Sequence, residues 1–133
     1  MSKRRQTLRV RIPPYESPRN EWRLTIHAEL IKASVSQAVS YRAEDKLELL
    51  ITLYMPENQI LWHDVDNRLK DIMDALQGRA GGSKSNRALV PIIPNDHQIQ
   101  KVTIEKMTPP PQSHGYGHLT IRKKKTTDKR LRK

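Results

Sequence analysis

Asp64 and Asp66 stand two residues apart at the start of an amphipathic run, and Lys70 follows four residues after the second carboxylate. In an extended segment, residues i and i+2 point the same way. The two carboxylates are therefore expected to converge at a helix N-terminus, where free N–H groups and the helix dipole favour a phosphate oxygen. Carboxylate oxygens in such a place suit a divalent cation, which lowers the pKa of a bound water and neutralises charge on a phosphate. Asp96, in the turn Pro94-Asn95-Asp96-His97 after a Gly/Ser-rich stretch, is placed to deliver a third ligand. An ordinary structural role stands beside this reading. Asp66 serves equally as a helix N-cap, Asn-Asp is common turn chemistry, and Lys70 between Asp66 and Asp74 suits i,i+4 surface pairs of ~0.2–0.5 kcal/mol each.

These residues need elements to position them. Val65, Leu69, Ile72, Met73 and Leu76 recur at helical spacing and predict a helix over 66–77 with its apolar stripe toward the core, closed by Gly78. Asp66, Lys70 and Asp74 form a second stripe at the boundary with solvent. Thr7–Ile12 alternates with period two and reads as a strand ended by Pro13-Pro14. Trp22, Ile26, Leu30 and Ala33 predict a helix over 21–40, with Trp22 in the core. Lys46–Met55 is the clearest strand, and Leu50 and Tyr54 opposite its main apolar face predict burial on both sides. Residues 88–93 read as a short extended stretch, and 98–107 as a strand with Val102 and Ile104 inward. Residues 118–121 read as a final edge strand. The order β-α-β-α-β-β predicts an α+β fold, a single small domain with a mixed sheet and two main helices.

Charge narrows the partner. The net charge is +11, with +5 in the first 11 residues and +7 in 122–133, which leaves 12–121 near neutral. A near-neutral body with two basic arms points to a polyanion, with Arg4, Arg5, Lys123, Lys124, Lys125, Arg130 and Arg132 as phosphate contacts. The division is a domain over 1–121 and a basic tail over 122–133. Only 35% of the residues are hydrophobic and Phe is absent, a thin core that favours a homodimer. Cysteine is absent, which excludes disulfides and thiolate metal sites. No apolar run is long enough to span a membrane and no secretory signal opens the chain, so the expected location is cytoplasmic, associated with the nucleoid when on DNA. The histidines at 114 and 118 lie on a Gly-rich stretch and make a poor zinc site. His63 and His97 flank the acidic residues as ordinary polar groups.

The run Asp64-Val65-Asp66-Asn67, Lys70, Asp74-Ala75-Leu76, then Asp96 and Val102–Met107, with Pro13-Pro14 and Asn20-Glu21-Trp22-Arg23 upstream, resembles the RusA-type Holliday junction endodeoxyribonucleases over about residues 8–121. The resemblance implies that Asp64, Asp66 and Asp96 bind Mg²⁺, with Mn²⁺ as a substitute, and that Lys70 is catalytic or contacts a DNA phosphate. It further implies a homodimer that nicks two strands symmetrically across four-way branched DNA in recombination and repair, without a small-molecule cofactor. Asn95 stands where the family pattern has a second acidic residue, the stretch before Asp96 is longer than usual, and the basic tail is additional. Two alternatives stay open: a non-catalytic basic nucleic-acid-binding protein, and a flap or replication-fork nuclease.

Overall fold

Leu8, Val10 and Ile12 point inward and Arg9 and Arg11 outward along β1 (Leu8–Ile12), the first strand in a computed structural model that describes residues 7–16, 18–60, 64–79, 89–112 and 114–124. The helix α1 (Arg19–Gln37) follows, burying Trp22, Ile26 and Leu30. It stops three residues short of the predicted end. Ala38 takes the left-handed conformation with φ 56°, and its N–H reaches the Val35 carbonyl at 3.2 Å. The reason is tertiary: breaking the helix there carries Val39 and Tyr41 into the core, where the Tyr41 hydroxyl donates to the Ile121 carbonyl at 3.0 Å.

The remaining elements are β2 (Leu47–Tyr54), a single turn α2 (Glu57–Ile60), α3 (Val65–Leu76), β3 (Ile99–Met107) and β4 (Gly117–Lys123). A short 3-10 turn, Asp96–Gln98, leads into β3. The sheet is mixed, in the order β1-β4-β2-β3, with β4 antiparallel to both neighbours and β2 parallel to β3. The last strand is thus interior, not an edge as predicted. Leu119 and Ile121 are fully buried, and β4 bonds on both sides, so β1 and β3 form the edges.

Both helices lie on one face of the sheet. Leu47, Leu49, Ile51 and Leu53 of β2 are buried beneath them, whereas Leu50, Thr52 and Tyr54 face the other way and are only half-buried. The two-sided burial predicted for β2 is not found, because no described element covers that second face. Val102 shares the helix-facing side with Leu49 but sits at the outer edge and stays 36% exposed, contrary to its predicted inward place. No helix among the described residues is long and apolar enough to cross a membrane.

The buried stripe of α3 is also rotated from the predicted one. Arg68, Asp71, Ile72, Ala75 and Leu76 are buried, and Val65, Leu69 and Met73 sit at its margin. Apolar periodicity alone assigned the stripe, and it passed over two charged residues that neutralise each other inside.

One position tests the packing of the β4 start. A Cβ on Gly117 would lie 2.1 Å from the Thr52 carbonyl oxygen, a backbone atom that cannot step aside cheaply. Gly117→Ala is expected to cost about 1–3 kcal/mol as an overpacking change, read by urea denaturation. A loss below ~0.5 kcal/mol, the usual range for a neutral surface change, would contradict this packing.

Candidate metal centre

Asp64 is the N-cap residue of α3. Its backbone is extended (φ −75°, ψ 134°), and its carbonyl accepts the Arg68 N–H at 3.3 Å. The carboxylate makes no capping hydrogen bond and is exposed. Asp66 lies in the first turn, also exposed, and Lys70 is exposed one turn further on. The i,i+4 pairs that would make Lys70 an ordinary surface residue are not formed among the described residues; Asp74 instead meets Arg23 Nη2 at 3.4 Å. Two uncommitted carboxylates and a lysine therefore share the N-terminal half of α3, beside the positive end of its dipole.

A buried charge cluster holds this helix against α1. Asp71 is fully buried, and its Oδ1 accepts from Arg19 Nε at 3.0 Å and Arg23 Nε at 2.9 Å. Arg68 Nη2 approaches Oδ2 at 3.3 Å. The Arg68 guanidinium, itself buried, lies over Tyr15 with its carbon 3.7 Å from the ring centroid, and 5.6 Å from that of Trp22. Its Nε and Nη1 make no hydrogen bond, and the ring faces supply attraction where an acceptor would otherwise be needed. Trp22 in turn donates to the Pro13 carbonyl at 3.0 Å. The Asp71 carboxylate raises the Arg19 pKa above its ordinary value, chiefly through that hydrogen bond. Sequence reasoning missed this cluster. Its signal was present as arginines at i and i+4 on one helix, and Arg and Asp at i and i+3 on the other.

Asp96 lies elsewhere. It opens the turn before β3, exposed, with His97 Nδ1 3.9 Å from its Oδ1. The turn itself is pinned. Gln98 is buried and donates to the carbonyls of Arg42 and Asp45, at 2.6 and 2.8 Å. Two sets of contacts fix which end of α3 this turn occupies. Lys106, near the far end of β3, donates to the Ile60 carbonyl shortly before Asp64. At the other end of α3, the Leu76 carbonyl accepts from Ile92 and Ile93, just ahead of Asp96, at 2.7 and 3.3 Å. Asp64 and Asp96 are thus separated by the length of a 12-residue helix, about 18 Å at 1.5 Å per residue. Among the described residues no three His, Asp or Glu side chains gather to hold a metal ion. The expected convergence of Asp96 on Asp64 and Asp66 does not occur within one chain, because the chain traverses the sheet between them.

The other predicted contacts divide. Lys123 and Lys124 are exposed at the end of β4, with Lys123 Nζ 3.8 Å from Asp45 Oδ1. Arg4, Arg5, Lys125, Arg130, Arg132 and His63 lie outside the described residues. No protein-family profile and no curated protein matches the chain.

The cluster makes a sharp stability prediction. Asp71→Ala strands three guanidiniums around a buried void and is expected to cost about 3–5 kcal/mol, the usual penalty for removing one partner of a buried ion pair. Chemical denaturation reads it, and a loss under ~1 kcal/mol would show that α3 is not held this way.

Proposed function

We propose that this chain is a divalent-metal-dependent endodeoxyribonuclease for branched DNA, acting as a homodimer with a metal centre shared between two copies. The observation that carries the reading is the pair Asp64 and Asp66, exposed and unspent as caps at the N-terminus of α3, with Lys70 one turn on. The resemblance of these residues and Asp96 to the RusA-type pattern supports it. Their donor chemistry fits the metal: hard carboxylate oxygens suit Mg²⁺ or Mn²⁺.

Two carboxylates at one end of the molecule and one at the other call for a second copy turned end for end. A two-fold axis does that. Asp96 of one protomer then approaches Asp64 and Asp66 of its partner, twice over. The outer edge of β3 is a suitable place for the axis, since it is an edge strand of nine residues and antiparallel pairing of two such edges reverses their ends. The same reversal concerns charge. Leu8 pairs with Ile121, and Leu47 with both Lys123 and Ile99, so the chain enters and leaves the sheet at the Asp96 end. The basic arms of one protomer would thereby flank the carboxylates of the other.

In this reading Asp64, Asp66 and the second copy's Asp96 would hold the cation, which would lower the pKa of a water and neutralise charge on the scissile phosphate. Lys70 offsets charge on the non-bridging oxygens. The arms contribute salt-dependent affinity that is blind to sequence. A second reading has one observation in its favour: the three carboxylates are apart within a chain, as a nucleic-acid-binding protein without the reaction would permit.

Cleavage of a mobile four-way junction separates the two. With Mg²⁺ the wild-type chain is expected to give paired symmetric nicks, and none without metal. Asp64→Asn should lower nicking by about two orders of magnitude or more and leave junction binding intact. If four-way, flap and fork substrates all stay uncut in Mg²⁺ and in Mn²⁺, the chain is a binder and the hydrolytic proposal fails.

A further inference from the structure

The face of the sheet turned away from the helices carries its own chemistry. At the end near the start of β4, Arg11 lies over the Tyr116 ring at 4.8 Å, and the rings of Tyr54 and His118 meet edge to face at 5.7 Å. These four side chains come from three strands and the turn before β4; Arg11, Tyr54 and His118 point outward, because Ile12, Leu53 and Leu119 beside them are buried on the helix side, and Tyr116 stands at the rim of the face, where it also borders Pro13, Pro14 and Trp22. Toward the other end, Arg9 and Arg122 continue the outward row. Arg122 Nε donates to Glu48 at 3.0 Å, and Lys101 Nζ lies 3.7 Å from the same carboxylate. The outward rows thus hold four cations against Glu48, which is buried beneath two of them, and Glu105.

We infer that this open face binds single-stranded DNA, with bases stacked on Tyr54, Tyr116 and His118 and phosphates met by Arg9, Arg11 and Arg122. A four-stranded sheet with aromatic rings on its free face accommodates about two or three stacked bases. Every base has a π-face, so such a platform is tolerant of sequence, and guanidiniums between the rings serve both the backbone and the stack. The charge argues against a second copy as the occupant. Two-fold packing of this face would press like-charged arginines together with, among the described residues, Leu50 and Met107 as the aliphatic contact, whereas the core of a stable interface is depleted of charge. The inference is independent of the hydrolytic reading, since stacking and phosphate contacts require no metal.

The test is fluorescence anisotropy of a labelled oligo-deoxythymidine of roughly 12 nucleotides, within the span of known single-strand sites, in EDTA with the full chain. Tyr54→Ala and Arg11→Ala are each expected to weaken binding about tenfold, Tyr54→Phe to leave it near wild type, and Lys32→Ala, which removes an exposed charge from α1, to leave it unchanged. Wild-type affinity in both Tyr54→Ala and Arg11→Ala would overturn the assignment. So would a variant that elutes as a smaller species than wild type, which would make the face a self-association surface. Should Tyr54→Ala fail to fold, photocrosslinking of a bromodeoxyuridine oligonucleotide to the wild-type chain decides. An adduct at Tyr54, Tyr116 or His118 supports the platform, and adducts confined to residues outside 9–122 exclude it.

Discussion

A parallel strand pair cannot be closed by a tight turn, and most of this molecule follows from that constraint. To lay β3 parallel to β2, the chain must leave the far end of β2 and travel back along the sheet before β3 begins. The return path is α3. Its N-terminus is therefore at the end where β2 finishes, and its C-terminus is at the end where β3 starts. Any residue that opens α3 is held away from any residue that opens β3. Asp64 and Asp66 fall in the first class, Asp96 in the second.

The buried Asp71 cluster makes the separation rigid. Guanidiniums from α1 and α3 converge on one carboxylate beneath Tyr15 and Trp22. Removing Asp71 would leave the buried Arg68 and the largely buried Arg23 without a counter-charge, so the one carboxylate ties the two helices together. The turn before β3 is equally fixed, by Gln98 bridging to the loop ahead of β2. Neither end is free to reach the other, and this is why the proposed centre is assigned to two chains rather than to a rearrangement of one. The electrostatics have the same polarity. Leu8 and Lys123, where the chain enters and leaves the sheet, lie at the Asp96 end, while Asp64 and Asp66 sit at the other.

Much of the local structure was legible in the sequence. The alternation through Thr7–Ile12 and Lys46–Met55, the helical repeat of Trp22, Ile26 and Leu30, and the stop at Gly78 each reflect one segment's own periodicity, and each has its element in the fold. What escaped depended on neighbours. Leu119 and Ile121 read as an edge strand because nothing in the short run 118–121 reveals that both of its sides will be bonded. Leu50 and Tyr54 read as buried because an apolar residue on a second face looks alike whether or not a helix covers it. Arg68 and Asp71 were passed over because periodicity counts apolar residues, and a buried ion cluster has none. For the site, the proximity of Asp64 and Asp66 along the chain was plain, but the position of Asp96 depended on strand direction. The order strand, helix, strand already hinted at a parallel pair, and it was the one signal that would have placed Asp96 at the opposite end.

The shared centre is tested most directly by complementation between two inactive chains. Asp64→Asn and Asp96→Asn chains, each without nicking activity alone, would be mixed and refolded together. In a mixed dimer one site receives both defects and the other receives neither. Half of the dimers should then carry one intact site of two, restoring about a quarter of wild-type nicking. If the mixture is no more active than either chain alone, while wild type cuts, the carboxylates do not act across two copies and the account is wrong.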